Sequence, residues 1–456
     1  MKSVRIGNGC GFWGDNRDAP VALAEHGRLD YLTLEYLAEL TMSILARQKA
    51  RDPDAGYAHD FLDVLERLGP ALKAQPNLKL VTNAGGMSPG ACAARAREVL
   101  DRAGLHDRAV AVVRGDDLLP RLDDLLARGH SLAHLDTGEP LRVVRDRVVS
   151  ANAYLGSPPL ALALARGAAV VITGRVADAA LTLAPAAHEF EWAWDDWDRL
   201  AAGTVAGHLI ECGAQATGGL WCNWQELDDL AGVGYPIAEI EASGTFRLTK
   251  PPHTGGAVNR ETVAEQLLYE VGDPAAYLTP DVTADFTSVT LTETDPDVVT
   301  VEHARGRPAP DSYKVSVAYR DGYAASGTLV IAGPDAAYKA RRCGEVVLER
   351  LRRAGALPRH SHVECLGAGE LAPGSKGWFD APEVVLRVAV RDPSRAVVER
   401  FSKELAPLVT SGPPGVTGYT TGRPAVREVF AYWPALVPRG VVVPEVQVIG
   451  AEGEGA

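Results

Sequence analysis

The sequence predicts an α/β fold: a parallel sheet with helices on both faces, followed by an α+β part with a ferredoxin-like order of elements. Three observations predict it. Short apolar runs alternate with helical patterns through residue 187. Those runs are mostly continuous, as strands covered on both faces require. Beyond residue 276 the texture changes, and β-branched residues alternate with polar ones as in half-buried antiparallel strands.

In order, residues 4–9 read as a strand, 20–26 as a helix and 31–35 as a strand. Helices follow at 38–51 and 57–74. Residues 78–83, 109–114, 148–154 and 168–173 then read as strands, each followed by a helix, at 89–103, 118–128, 158–166 and 178–187 respectively. Six strands alternating with helices imply parallel pairing through right-handed crossovers. Periodicity does not separate an open sheet from a closed barrel. The doubly wound open sheet is favoured over the barrel because eight clean βα units cannot be counted.

Residues 190–275 are mixed. Trp192, Trp194 and Trp197 mark a packed connection, with helices at 204–215 and 261–270 and a strand at 246–250. Two domains are expected, 1–275 and 276–456. In the second, residues 282–300 and 314–332 carry strands, then come a helix at 336–354, strands at 362–366 and 384–390, a helix at 395–408 and a strand at 429–436. That order suggests a ferredoxin-like layer. The Gly- and Pro-containing stretches 306–311 and 367–376 read as surface connections, and the tail 452–456 as frayed.

The formal charge of −13 argues against nucleic acid, whose phosphates need clustered Lys and Arg. Six scattered cysteines without C-x-x-C spacing suggest neither a zinc ribbon nor a redox motif, and fit a reducing, cytoplasmic setting. The N-terminal residues read directly as a strand with no leader-like run, and no apolar window is long enough for a membrane helix. A homo-oligomer is expected.

In a parallel sheet the carboxyl ends of the strands share one edge, where ligands bind. Here those ends carry Gly7-Asn8-Gly9 through Asp15, then Glu35, then Asn83 with Gly85-Gly86, then Asp116, then Asn152, then Arg175 with Asp178. Any one such loop is as readily an ordinary polar turn. Six together point to one cleft. Gly7-x-Gly9-x-Gly11 is not a dinucleotide fingerprint, and no G-x-S-x-G elbow occurs. His208, Glu211 and Cys212 share a helical face; His208 or Glu211 suits acid/base work, a structural histidine is the plainer reading, and the spacing departs from the zinc motifs. Lys250 before Gly255-Gly256 suits an anion but lacks P-loop spacing. Residues 411–418 with Gly422-Arg423-Pro424 form a further glycine-rich loop, either a cover for the cleft, an oligomer contact or a plain connection.

Gly7-Asn8-Gly9 with Phe12-Trp13-Gly14-Asp15, Glu35-Tyr36-Leu37-Ala38-Glu39 and Thr82-Asn83-Ala84-Gly85-Gly86-Met87 occur in order with Ala153-Tyr154-Leu155-Gly156. Ile172-Thr173-Gly174-Arg175-Val176-Ala177-Asp178, residues 208–215 and Gly415-Val416-Thr417-Gly418 follow. Together they resemble the acyclic terpene utilisation (AtuA-like) family over residues 4–440. The resemblance implies a place in the breakdown of acyclic terpenoid or branched acyl-CoA compounds and supplies no mechanism. It also implies that a further C-terminal ferredoxin-like domain of longer members lies outside this stretch.

The expectation is an enzyme, lyase- or hydratase-like, acting on a small carboxylate or acyl-CoA. Glu35, Asp178, His208 and Glu211 are its candidate acid/base residues. Asn8, Asp15, Asn83, Gly85, Gly86, Asp116, Asn152, Arg175 and Lys250 are the candidates for binding, with Arg175 on a carboxylate and the Asn83 and Gly85-Gly86 groups at an oxyanion. No cofactor is required by the sequence, and metal dependence stays open. The alternatives are a non-catalytic partner of an acyl-CoA enzyme and a metal-dependent hydrolase.

Overall fold

The computed structural model describes residues 2–371, 381–419 and 422–450. The tail 452–456 and the end of the 367–376 connection lie outside them. The chain divides into two compact units, residues 1–318 with 432–456, and residues 319–431.

In the first unit, β1 (Ser3–Asn8), β2 (Tyr31–Leu34), β3 (Lys79–Thr82), β4 (Val110–Arg114), β5 (Val148–Ala153), β6 (Val170–Thr173), β7 (Ile237–Glu241) and β8 (Phe246–Thr249) follow one another along the chain. Five of them pair in parallel in the order β1-β2-β3-β6-β4. Registers such as Leu32 opposite Leu80 and Thr82 opposite Ile172 set their carboxyl ends side by side. These strands are almost wholly buried, which accounts for their mostly apolar sequences. Leu32, Leu34, Leu80, Val112 and Ile172 pack with Phe61, Leu65 and Leu68 of the Asp60–Ala74 helix and with Cys92, Ala96 and Leu100 of the Pro89–Arg102 helix.

The sheet is mixed rather than parallel throughout. β7 runs antiparallel to β1, β8 follows it, and Val298–Glu302 and Thr290–Asp295 extend that side; Glu445–Ile449 pairs antiparallel with β4 at the other. Among the described residues its two edges stay apart, so no barrel closes. The parallel expectation fails where strands of alternating sequence, such as Ile-Ala-Glu-Ile-Glu in β7, join by antiparallel pairing. β5 forms as a strand but outside this sheet. β6 already has β3 and β4 on its two edges. β5 instead lies along the exit of β4, with Leu118 N–H donating to Ala151 O and Ala153 N–H to Asp116 O, and it pairs with the strand Ser312–Ala332.

The second unit is α+β. An antiparallel sheet of His360–Leu366, Glu383–Asp392, residues 319–332 and Val416–Tyr419 packs against the helices Ala336–Arg353 and Arg395–Phe401. Its core joins Leu329, Ile331, Val347, Leu351, Leu386, Val388 and Phe401. The helix expected over 395–408 is two short ones, the second being Leu408–Ser411. No helix among the described residues is long and apolar enough to cross a membrane.

Candidate active site

The ends of β1 and β2 converge through backbone hydrogen bonds. Glu35 N–H donates to Cys10 O at 2.9 Å, and Gly9 N–H to Thr33 O at 3.0 Å. Beyond β6, Gly174 passes so close to Asp116 that a Cβ there would meet its Oδ1 at 2.5 Å. The Asp116 carboxylate receives Arg175 N–H at 2.9 Å and Asn152 Nδ2 at 2.8 Å. Asp116 and Asn152 thus hold the turn that presents Arg175, and both lie behind the cleft.

The Arg175 guanidinium is 2% exposed, with one partner on each terminal nitrogen and none on Nε. Nη1 donates to Leu37 O at 2.6 Å, and Nη2 lies 2.9 Å from Asp178 Oδ1. The Tyr154 ring stacks against it at 4.3 Å. The Tyr154 hydroxyl donates to Glu39, whose carboxylate also sits 3.5 Å from Lys314 Nζ. Burial works against charge on Glu39, but the Tyr154 hydroxyl, Arg175 and Lys314 hold it below the ordinary carboxylate range.

Glu35 is buried. Its Oε1 receives Leu37 N–H at 2.9 Å and the Asn83 Nδ2 group, while Asn83 Oδ1 accepts Tyr36 N–H at 2.8 Å. Its Oε2 has no hydrogen-bond partner. Burial, then the neighbouring Asp178, push the Glu35 carboxyl well up, against the pull of Arg175. Asp178 opens further to the cleft, with its side chain 36% exposed. Burial raises it to about 7, Arg175 opposing and Glu211 and Glu39 assisting. Two carboxyls with raised proton affinity therefore flank one fixed guanidinium.

Glu211 enters from the end of the Trp197–Glu211 helix. Asn8 clasps that end: its Nδ2 donates to Ile210 O at 2.7 Å and Glu211 O at 2.9 Å, and its Oδ1 accepts from Thr33. Behind Glu211, His208 is buried with Nε2 at 3.0 Å from Gln266 O. A carbonyl only accepts, so Nε2 carries a proton, and Nδ1 faces Glu211 Oε1 at 3.3 Å. Burial alone would lower the imidazole pKa, but Glu211 and the Gln266 carbonyl raise it.

Glu35, Glu39, Arg175, Asp178 and Glu211 line a cleft of about 450 Å³ with Asp15, Cys212 and Glu270. Phe12, Leu37, Leu220, Tyr235 and Tyr269 supply its apolar surface. Asp15 shapes the wall, its carboxylate accepting from Gly11 N–H, Asn16 N–H and the Tyr235 hydroxyl. Burial lifts the Cys212 thiol to about 12, so it stays protonated at neutral pH.

Of the residues singled out in the sequence, Glu35, Asp178, Arg175, Glu211 and Asp15 meet in the cleft. Asn8, Asn83, Asp116, Asn152 and His208 support them from behind. Gly85 and Gly86 are outside the lining: a Cβ on Gly85 would meet Thr173 O at 2.5 Å, and Gly86 N–H bonds Asn83 O. Lys250 is also elsewhere, buried with Nζ at 2.9 Å from Thr254 O and 3.0 Å from Asp297. Glu39, Tyr154 and Glu270 are not among the candidates read from the sequence, and Cys212 enters there only through the helical face it shares with His208 and Glu211. For Glu39 the available signal was a carboxylate four residues after Glu35, opening a helix. Among the described residues, no group of three His, Cys, Asp or Glu side chains is arranged to hold a metal ion.

The family model described as "Acyclic terpene utilisation family protein AtuA" matches residues 4–448. No curated protein and no solved structure matches the chain.

Proposed function

The chain belongs to the acyclic terpene utilisation family, and we propose that it is an enzyme of hydratase or lyase type acting on a branched or terpenoid acyl substrate. The observation that carries this reading is the pair of raised carboxyls, Glu35 and Asp178, beside the immobilised Arg175. Adding water across a double bond conjugated to a carbonyl needs one group to take a proton and another to give one. Asp178, titrating near neutrality and open to the cleft, takes a proton from water as its oxygen bonds to the β-carbon. Glu35, holding its proton on the unpartnered Oε2, delivers it to the α-carbon. The reverse direction removes water with the same two groups exchanging roles. The Arg175 charge keeps Asp178 ionisable despite its burial. Phe12, Leu220 and Tyr269 at the rim suit an apolar chain, and the volume falls within the ordinary range of ligand pockets, about 300–1,000 Å³.

The direct test is incorporation of solvent deuterium at the α-carbon of a branched acyl thioester, read by mass spectrometry. Incorporation that depends on both Glu35 and Asp178 supports the reading. A bound thioester that exchanges no proton, or full exchange in Glu35→Gln and Asp178→Asn, sinks it.

A further inference from the structure

Arg175 is the one Lys or Arg lining the cleft among the described residues, and its ends are already taken. Nη1 is held by Leu37 O and Nη2 by Asp178, with Tyr154 covering one face. The carboxylate that this arginine binds is the chain's own. Asp15, Glu35, Glu39, Asp178, Glu211 and Glu270 share the lining. An incoming carboxylate would lose its water among these acids, and the one arginine is buried with Leu37 O and Asp178 on its terminal nitrogens.

An incoming ammonium would have to settle beside the Arg175 charge, with Asp178 and Glu39 already paired to Arg175 and Lys314. Among the lining residues, the buried polar atoms with no hydrogen-bond partner are Glu35 Oε2, Glu211 Oε2, Asp178 Oδ1 and Arg175 Nε, the last shut off from the cleft with its side chain 2% exposed. The unpartnered Glu35 Oε2, on a carboxyl whose burial favours its proton, suits a neutral carbonyl or hydroxyl that forms a single hydrogen bond. The rim adds Phe12 at 57% and Leu220 at 81% exposure, two large apolar side chains at the mouth.

We infer that the reacting end of the ligand enters this cleft uncharged, as a thioester or ester on an apolar chain, and that the Arg175–Asp178 pair excludes the corresponding free acid. The inference rests on the proposed function and narrows its substrate class from carboxylates and acyl esters to the neutral acyl form. It gives the Arg175–Asp178 contact a selective role besides its electrostatic one: it is an internal competitor for any external carboxylate.

The test uses one branched α,β-unsaturated chain in three forms, the N-acetylcysteamine thioester, the free acid and the primary amine, against the full chain. Melting temperature is followed against ligand concentration at a pH where acid and amine are ionised. The thioester is expected to raise the melting temperature with saturation, while acid and amine leave it unmoved. Asp178→Ala frees Nη2, and in that variant the free acid is expected to stabilise the fold. A thioester that leaves the melting temperature unmoved overturns the inference. So does an acid or amine that matches the thioester in the unmodified protein. A thioester that binds yet exchanges no α-proton leaves the inference standing and overturns the proposed reaction.

Discussion

Arg175 Nη2 lies 2.9 Å from Asp178 Oδ1, three residues apart on the loop after β6, with the arginine buried and the aspartate facing the cleft. This contact couples the fold to the chemistry. It fixes the only cation of the cleft lining among the described residues, and it pulls down the proton affinity that burial raises in a carboxyl facing the cleft.

Arg175→Ala is expected to destabilise the chain by about 3 kcal/mol, because it strips a buried ion pair and leaves Leu37 O without its donor. Chemical denaturation reads this directly. A loss within about 0.5 kcal/mol, the range of ordinary surface substitutions, would mean that the pair contributes nothing to the fold.

Glu35→Gln keeps an oxygen for Leu37 N–H but removes the titrating proton. Exchange at the α-carbon should fall about a hundredfold or more while the denaturation midpoint stays near that of the unmodified chain. Unaltered exchange would remove Glu35 from the reaction.

The rate of exchange should rise with pH through about 7 as Asp178 loses its proton, and fall again at higher pH as Glu35 loses its own. Asp178→Asn should abolish the rising limb. A profile flat from pH 5 to 9 would contradict this assignment of acid and base.

Asp116 affects stability in the opposite sense to a salt-bridged carboxylate. Burial raises its pKa from 3.8 to about 6, so between those values the folded chain keeps a proton that the unfolded chain has released. Its contribution therefore falls as pH rises through that window, by about 3 kcal/mol in all. Asp116→Asn should remove this slope, as measured by unfolding free energy at successive pH values. An identical slope in the variant would place the titration elsewhere.

Asn8→Leu should cost about 2 kcal/mol, since it leaves the Ile210 and Glu211 carbonyls without their buried donor. Exchange should fall as well, because the same contacts aim Glu211. A destabilised variant that retains full exchange would show that Asn8 serves the fold alone.

Much of the first unit was legible because its signals are local. Residues 31–34 and 170–173 are mostly apolar runs, each closed by a polar or glycine-bearing exit. Glu35, Arg175 and Asp178 were readable as cleft residues because they stand at such exits. Lys250 shows where that logic stops. Its strand-to-helix setting matched an anion site, yet its partner is Asp297, 47 positions along the chain. β7 and Glu445–Ile449 escaped notice because short strands of alternating charge resemble surface connections until a neighbouring edge binds them.

The sequence by itself determined the helices and parallel strands of the first unit and the residue types at their ends, since burial and backbone propensity act over a few neighbours. Only the tertiary structure decided that β6 inserts between β3 and β4, that β5 leaves the sheet, and that residues 432–456 belong with the first unit. It alone decided that Arg175 is held by Asp178 and Leu37, that Asn83 braces Glu35 and that His208 stands behind Glu211. Strand partners, burial and ion pairs depend on which distant segments meet. The proton affinities on which the proposed chemistry rests follow from those meetings rather than from the residues taken singly.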